Sequence, residues 1–342
     1  MKKRNILFLL LFGVFVVGIM ILIVGPEEII NAVKNADPFY IGLAVFSQFV
    51  TLILLTLRWA LVINSLSIRV PKRKLFPMLL VGMMINNITP SGRGGGEPVR
   101  AYMLSRSSDC SVESAFATVI VDRALDTFPM LFLALITIIS MVFFFELNMA
   151  VIIALVSTVV VISLIFFVFM YMCINESAGE KIVSWALKII RKFYTKEQGT
   201  LEVKAYEALA NFQKSFKLMI RDKKVAIYGI LVSCISWALE IVRVYFVFCA
   251  FGVNASIIVI AEVFIISCLL GIIPLLPGGL GAVDGSMVLL YSAAGITSSI
   301  SAAVTVVERL ISFWMVSALG AICLPLFGKQ VFEHILDKSD DV

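Results

Sequence analysis

The chain has 342 residues, of which 61% are hydrophobic and only 15% are charged, against about 25% charged residues in a typical soluble domain. At a mean hydropathy of +1.03, a soluble fold would leave too much apolar surface in water, so a bilayer is the expected solvent. This composition excludes disorder, a coiled coil and a secreted disulfide scaffold. The net charge is only +5, and a single histidine, His334, with six separated cysteines argues against metal sites and Ser-His-Asp chemistry. No cofactor, no metal and no nucleic-acid partner is expected.

The N-terminal segment predicts a retained transmembrane helix. The apolar run over residues 6–24 is long for a signal-peptide core. Three basic residues at positions 2–4 place the N-terminus in the cytoplasm by the positive-inside rule. A second span, about 39–63, returns the chain to the cytoplasm, because basic residues without any acid surround its end. These basic residues are Arg58, Arg69, Lys72, Arg73 and Lys74.

Beyond this point the apolar segments are of two lengths. Full spans are predicted at about 114–145, 147–173, 225–250 and 297–323. Two further arms, 75–88 and 257–273, each run into a segment rich in glycine and proline. The first arm has 14 residues, about 21 Å as a helix, which is short of a hydrocarbon core of about 30 Å. We therefore expect two re-entrant broken-helix hairpins, which return through 98–106 and 285–294.

These elements predict an all-α polytopic membrane protein with about six full transmembrane helices, whose even number also places the C-terminus in the cytoplasm. One integral membrane domain is expected over 1–328, followed by a short polar tail over 329–342. The long polar segment 174–224 carries eleven Lys or Arg and six Asp or Glu, which indicates the cytoplasmic side. Within it, apolar residues recur at helical spacing over 180–194, opposite a basic face. This pattern fits either an amphipathic helix on the anionic inner leaflet or a plain packed connector.

The sequence contains a repeat at an offset of about 186 residues. PSGRGGGE at 90–97 matches PGGLGAVD at 277–284, and VDRALDTF at 121–128 matches VERLISFW at 307–314. The separation between the matched acids is 25 residues in the first half and 24 in the second. Such agreement across separate motifs predicts an internal duplication.

The two halves are expected to be inverted copies. Upstream of the motifs, Arg58 has a counterpart in Arg243. The first half, about 39–145, starts with a span that runs inwards, whereas the second, about 225–325, starts with a span that runs outwards from the basic linker. Inverted repeats are a transporter architecture, with the substrate site near the bilayer midplane where broken helices meet.

The two glycine-rich motifs form the predicted substrate site. Irregular backbone at membrane depth is tolerated where it is buried in protein or lines a cavity. Glycines let backbone amides turn to a ligand, and a helix starting after each motif points its positive end there. The alternative is that these glycines only permit tight turns. Arginines at 93 and 100 have no counterparts in the second half and suit capture of an anionic headgroup from the inner leaflet, and the alternative for Arg100 is a surface charge. The predicted substrate-binding residues are Asn87, Pro90, Gly92, Arg93, Gly94, Glu97, Arg100, Pro277, Gly279, Gly281 and Asp284.

Nine charged residues fall within or beside apolar stretches. At about 2.5–3.5 kcal/mol each facing lipid, they would cost roughly 20–30 kcal/mol, more than the ~5–15 kcal/mol stability of a fold. They must therefore pair or face a wet interior, and the alternative role is ion pairing that only fixes helix register. Glu240 and Arg243 share a helix face at i, i+3 and predict a pair. The neighbours at 122–123 and 308–309 cannot face each other, so each needs a partner on another helix, such as an acid of the two motifs. Besides Glu97 and Asp284 of the two motifs, the predicted charge network consists of Asp122, Arg123, Asp126, Glu240, Arg243, Glu308 and Arg309.

Four motifs together carry a family resemblance. They are NNITPSGRGGGEPVRAYML (86–104), VDRALD (121–126), PGGLGAVDG (277–285) and VERLISFW (307–314). Through them the chain, over about 5–325, resembles the lysylphosphatidylglycerol synthase transmembrane-region family. This UPF0104-type family also forms the flippase half of the bacterial multiple peptide resistance factor. The resemblance implies a protein that moves a lipid between leaflets, which is aminoacyl-phosphatidylglycerol in the two-part enzymes. With no aminoacyltransferase domain expected here, lysyl-lipid synthesis is not implied, and Asp284 stands where the family often shows Glu.

Three functional classes remain open. The first is a flippase or scramblase for a polar-headgroup phospholipid or a polyprenyl-phosphate-type lipid, and no P-loop supports ATP use. The second is an intramembrane enzyme. The sequence GLGAVD at 279–284 lacks the GxGD motif expected of an aspartyl protease, and the loops lack the DxD cluster expected of a transferase. The third is a non-catalytic scaffold, for which nine intramembrane charges are an unneeded cost. We favour a transporter that is not an enzyme, with a membrane phospholipid or lipid-linked substrate as its partner and a homo-oligomer left open.

Overall fold

The computed structural model describes residues 36–89, 94–144, 149–193, 198–271 and 281–327, together with positions 27 and 34. Within these ranges the regular structure is helical and contains no strand, which confirms the predicted all-α class. The predicted first span (6–24), the orientation of the N-terminus and the tail (329–342) lie outside the described residues. The same holds for the predicted site residues Pro90, Gly92, Arg93, Pro277 and Gly279.

The helices of the described ranges follow the predicted apolar segments. They are α1 (Pro38–Ser65), α2 (Lys72–Ile88), α3 (Gly96–Ser107), α4 (Val112–Phe144), α5 (Met149–Ile174), α6 (Glu176–Phe193), α7 (Gln198–Arg221), α8 (Lys223–Ala250), α9 (Ile257–Leu270), α10 (Ala282–Ala293) and α11 (Ser298–Phe327). Four of them, α1, α5, α8 and α11, are long and apolar enough to cross a bilayer. The short apolar helices α9 and α10 occupy the two arms of the second predicted hairpin. The total number of spans and the re-entrant course stay predictions.

The helices α1 and α8 begin in the same way. Asp37 accepts a hydrogen bond of 2.8 Å from the amide of Phe39, and Asp222 accepts one of 2.8 Å from the amide of Lys224. Each aspartate thereby satisfies one of the amides that the first turn of a helix leaves unpaired. The two caps are 185 residues apart, close to the offset of the sequence repeat.

The helices pack in corresponding pairs around a central contact between α1 and α8. The corresponding contacts are α1–α2 with α8–α9, α2–α3 with α9–α10, α3–α4 with α10–α11, α1–α4 with α8–α11, and α2–α11 with α9–α4. These correspondences support the predicted repeat, although the inverted orientation of its halves stays a prediction.

The helix α7 is a packed connector. It buries Phe216 and Met219 completely, against apolar residues of α1, α4 and α5. Between these two residues, Lys217 donates a hydrogen bond of 2.6 Å to Glu176 at the start of α6, and this ammonium group lowers the pKa of the exposed carboxyl. The linker is thus fastened to the membrane helices through α7.

Candidate functional site

A buried arginine joins α1 to α4. Arg58 is 2% exposed and its guanidinium lies 2.8 Å from Asp122 and 2.7 Å from Asp126. Asp122 also accepts a hydrogen bond of 3.0 Å from Arg100 on α3, whose guanidinium lies over the ring of Trp59, 4.2 Å from its centroid. Opposite charges in contact offset the cost of removing each of them from water.

The geometry of the first motif centres on Glu97, in the first turn of α3. Its Oε1 lies 2.6 Å from Nε of Arg123 on α4, and it accepts a hydrogen bond of 3.2 Å from Asn86 on α2. The Asn86 side chain in turn accepts a hydrogen bond of 2.5 Å from the amide of Gly96. Three helices therefore meet at Glu97, and the prediction that Arg123 finds its partner on another helix is confirmed.

The second half contains the same kind of contacts. Arg243 on α8 lies 2.6 Å from Glu308 on α11 and also pairs with Glu240, which confirms the predicted i, i+3 pair. Arg309 lies 2.6 Å from Asp284 in the first turn of α10. The four side chains that lie deepest in this group, Asp284, Arg243, Glu308 and Arg309, are each less than a tenth exposed.

The ion pairs of the two halves correspond in sequence as well as in geometry. The pair Arg58–Asp122 has its counterpart in Arg243–Glu308, and the pair Glu97–Arg123 has its counterpart in Asp284–Arg309. The corresponding residues are separated by 185 to 187 positions. The halves differ at Arg100, because position 287 is a methionine. Within the described ranges, Asp122 is therefore the one carboxylate that contacts two arginines.

A cavity of about 180 Å³ opens between the two sets of ion pairs. By volume it has room for on the order of ten water molecules. Its polar and charged lining residues are Gln48, Thr51, Asn86, Asn87, Arg123, Asp126, Ser236, Trp237, Glu240, Arg243, Ser267, Glu308, Arg309 and Ser312. Apolar side chains, including Phe264, Met287 and Phe313, complete the wall.

Three charged side chains of the network reach into this cavity. The side chain of Arg123 is 35% exposed, that of Asp126 is 26% exposed and that of Glu240 is 22% exposed. The cavity therefore presents one cation and two anions to a ligand. Such a wall can receive a phosphate at the arginine and a hydroxyl or ammonium group at the carboxylates.

The helix α11 changes its winding beside the cavity. Its stretch Leu310–Met315 is π-helical and directly follows Arg309. Asn87 at the end of α2 donates hydrogen bonds to Ser317 (2.8 Å) and to the Phe313 carbonyl (3.4 Å). Short π-helical turns inside α-helices occur frequently at functional sites, and this one places Ser312 and Phe313 on the cavity wall.

Two glycines are required by the geometry of the site. Gly281, with φ of +81°, begins α10, and its amide donates a hydrogen bond of 2.8 Å to Asp284, which therefore caps the helix while it pairs with Arg309. Gly82 in α2 makes room for Arg100, since a Cβ atom at this position would overlap the side-chain carbons of that arginine. The first requirement is conformational and the second is steric.

The structure brings some of the predicted site residues to the cavity and leaves others behind its wall. Asn87 lines the cavity directly, and Gly94 is exposed. Glu97 and Asp284 lie behind the wall, where each holds an arginine that does line it. Arg100 is 1% exposed and takes part in the buried ion pairs.

Sequence reasoning missed several polar residues of the site. The cavity residues not predicted are Gln48, Thr51, Asn86, Ser236, Trp237, Ser267 and Ser312. Ser47, Gln48, Thr51 and Arg58 form a polar stripe at helical spacing along the apolar helix α1, and this was the signal available.

The fold and the site together define the class of protein, which is an all-helical integral membrane protein with a charge-lined cavity between its helices. Comparison with known proteins gives the family. A family model described as the lysylphosphatidylglycerol synthase TM region matches residues 6–320, and the chain belongs to this family.

Several relatives match the chain over nearly its whole length. It is 54% identical over 338 residues to a UPF0104 membrane protein of Methanothermobacter thermautotrophicus, covering 99% of this chain and 100% of the relative. It is 30% identical to UPF0104 membrane proteins of Methanocaldococcus jannaschii (96% of each chain) and Pyrococcus horikoshii (92% of this chain and 95% of the relative). The resemblance stated from the four motifs is thereby confirmed.

Proposed function

We propose that the protein is a flippase- or scramblase-like lipid transporter, which moves a polar-headgroup phospholipid or a polyprenyl-phosphate-type lipid between the leaflets. The observation that carries this proposal is a charge-lined cavity among helices apolar enough to cross a bilayer. A headgroup loses its hydration when it enters hydrocarbon, and polar walls within the membrane can replace the lost water.

The proposed headgroup site uses the exposed charges of the cavity. Arg123 offers a cation to the phosphate that both lipid classes share, while Asp126 and Glu240 accept hydrogen bonds from the rest of the headgroup. Glu97 and Asp284 hold the cavity arginines in position from behind. This activity breaks and forms no covalent bond, so the proposal is that of a transporter without an enzymatic step.

The corresponding ion pairs of the two halves support an alternating-access scheme. Each half contributes to the cavity wall an arginine that a carboxylate holds from behind, Arg123 with Glu97 in one half and Arg309 with Asp284 in the other. If the halves are inverted copies, the same rearrangement applied to either half opens the cavity to the opposite side of the membrane. The proposed site then lies near the bilayer midplane, and both termini lie in the cytoplasm.

The helix α6 is proposed to lie on the anionic inner leaflet. Its large apolar side chains Ile182, Trp185 and Ile189 are 40%, 65% and 42% exposed. A groove of about 380 Å³ between α6 and α7 is lined by Lys181 and Lys188. Exposed apolar residues beside basic ones are typical of a helix that binds at the surface of anionic membranes.

Reconstitution into liposomes tests the proposed transport. Fluorescent lipids with anionic, zwitterionic and polyprenyl-phosphate headgroups are placed in the inner leaflet, and their arrival outside is followed with an impermeant quencher. We expect the protein to accelerate the appearance of at least one lipid, and Arg123→Gln to lower that rate. Glu207→Gln, on the exposed surface of α7, serves as the matched control and should transport like the wild type. Rates equal to protein-free liposomes for all three lipids, with folded and inserted protein, would refute the proposal.

A further inference from the structure

A carboxyl group outside the ion-pair network lies in the apolar part of the molecule. Glu262 is the single charged residue of α9, IIVIAEVFIISCLL, and it is 3% exposed. Both of its carboxylate oxygens are buried and make no hydrogen bond with the part of the chain that the structure describes. In this respect it differs from Glu97, Asp122 and Glu308, each of which contacts an arginine.

The helices that pack against α9 bring no counter-ion to Glu262. These helices are α4, α8 and α10. Their titratable and charged side chains in the described ranges are Glu113, Asp122, Arg123 and Asp126 on α4, Lys223, Lys224, Tyr228, Cys234, Glu240, Arg243, Tyr245 and Cys249 on α8, and Asp284 and Tyr291 on α10. On α9 itself the other titratable group is Cys268. Among the described residues no charged group lies close enough to influence Glu262, and the neighbouring polar group is the hydroxyl of Ser140 on α4.

We propose that Glu262 is a proton-binding site, which holds a proton while α9 is packed against α4. An ionised carboxylate that is 3% exposed and has no counter-ion among the described residues is strongly disfavoured in apolar surroundings, whereas the neutral acid is tolerated. The bound proton also gives the carboxyl group an O–H that can donate to the Ser140 hydroxyl after a small adjustment. The ligand of this site is the proton itself, taken up from water and returned to it.

The position of Glu262 couples this proton to the cavity. Phe264 follows two residues later, which places it about 200° further around the helix, on the opposite face. Phe264, Ser267 and Cys268 line the cavity, and the ring of Phe264 lies 5.8 Å from the guanidinium of Arg243. When the proton leaves, the carboxylate must be hydrated, which requires α9 to separate from α4. Because the other face of α9 is part of the cavity wall, this movement changes the cavity.

Infrared spectroscopy tests the proton directly in the full chain. A buried protonated carboxyl group gives a carbonyl stretching band that ionised carboxylates do not give. We expect this band near neutral pH in the wild type, its loss in Glu262→Gln, and its retention in the matched surface variant Glu207→Gln. Glu262→Gln is neutral and nearly isosteric, so it should remain folded. A spectrum in which Glu262→Gln removes no band would overturn the proposal, and this outcome does not depend on whether the protein moves lipid.

Labelling of Cys268 tests the coupling to the cavity. In a variant that keeps Cys268 as its single cysteine, we compare maleimide labelling near neutral and at alkaline pH, with and without Glu262→Gln. The Glu262→Gln background corrects for the ionisation of the thiol. At alkaline pH we expect labelling of Cys268 to be several-fold higher with Glu262 than in the Glu262→Gln background. Near neutral pH we expect the two proteins to be labelled equally. Labelling at alkaline pH that equals that of the Glu262→Gln background would overturn the coupling.

Discussion

Arg58 on α1 donates a hydrogen bond of 2.8 Å to the hydroxyl of Ser233 on α8. The reciprocal contact is also present, because Arg243 on α8 donates to the side chain of Gln48 on α1. The two arginines are 185 residues apart, and so are the two acceptors. Arg58 thus contacts Ser233 across the α1–α8 interface, and Arg243 contacts Gln48, the position that corresponds to Ser233. These polar contacts fix the register of the two helices.

The ion pairs of Arg58 should contribute more to stability than this crossed contact. Asp122→Asn leaves Arg58 with the carboxylate of Asp126 and no other, and it removes the carboxylate from Arg100. We therefore expect a loss of about 3–5 kcal/mol in the free energy of unfolding. Ser233→Ala removes one hydrogen bond to a charged group and should cost about 1.5–3 kcal/mol. Equilibrium unfolding in mixed micelles measures both, and a larger loss for Ser233→Ala would contradict the expected order.

Glu97→Gln should affect transport more than stability. The amide oxygen can still accept from Arg123 or Asn86, and Arg123 is 35% exposed, so water can solvate it when the charge of its partner is removed. We therefore expect a smaller loss of stability than for Asp122→Asn. Since the uncharged amide holds Arg123 less firmly at the cavity, lipid translocation per folded molecule should fall about tenfold, equivalent to about 1.4 kcal/mol.

Asp284→Asn is the matched variant in the second half. Asparagine keeps the oxygen that caps α10 at Gly281 but loses the charge that pairs with Arg309. Melting temperature and translocation rate are measured for both variants in parallel. If translocation falls only in proportion to the loss of folded protein, the two carboxylates are structural and the proposed site is wrong.

Gly82→Ala should disturb the packing of Arg100. An added Cβ would overlap the side-chain carbons of that arginine, which is held between Asp122 and the ring of Trp59. We expect a loss of about 1–3 kcal/mol, the usual range for overpacking a core. Gly42→Ala is the control, because a Cβ there meets no atom within 4 Å in the interior of α1, and it should be neutral or slightly stabilising. Equal melting temperatures for the two variants would show that Arg100 moves aside without cost.

The helices and the charge pairing could be predicted because both follow from large energies. Apolar runs long enough for a bilayer specify α1, α5, α8 and α11, and the cost of unpaired intramembrane charge requires that Arg123 and Arg309 find carboxylates. The spacing of Glu240 and Arg243 even specifies the partner, because residues at i, i+3 share a helix face.

Other parts of the site could not be predicted because they depend on which face of a helix meets a neighbour. Arg100 follows the first motif closely and was expected to contact a headgroup, yet the rotation of α3 turns it towards Asp122 on α4. Gln48 and Ser233 are neutral, so their burial in apolar helices carries little energetic signal from sequence. The π-helical stretch of α11, in which the Phe313 carbonyl accepts a hydrogen bond from Asn87, is not predicted by any residue pattern.

The docking of α6 on an anionic membrane can be tested through Trp185, whose side chain is 65% exposed beside Lys181 and Lys188. Quenching by brominated lipids is measured as the difference between each protein and its Trp185→Phe derivative, which isolates this tryptophan from the other three. We expect stronger quenching in anionic than in zwitterionic liposomes. Each basic residue near such a surface contributes about 1 kcal/mol, so replacing Lys181 and Lys188 by glutamine should weaken docking by up to about 30-fold.

The matched control for this test replaces Lys204 and Lys214, two exposed lysines of α7 outside the groove, by glutamine. It lowers the net charge of the chain by the same amount but leaves the groove intact, so its quenching should equal that of the wild type. Added salt should reduce the preference for anionic lipid, because surface attraction is screened within a Debye length of about 8 Å at physiological ionic strength. Quenching that is independent of lipid charge, or lost equally in both double variants, would show that α6 is a packed connector like α7.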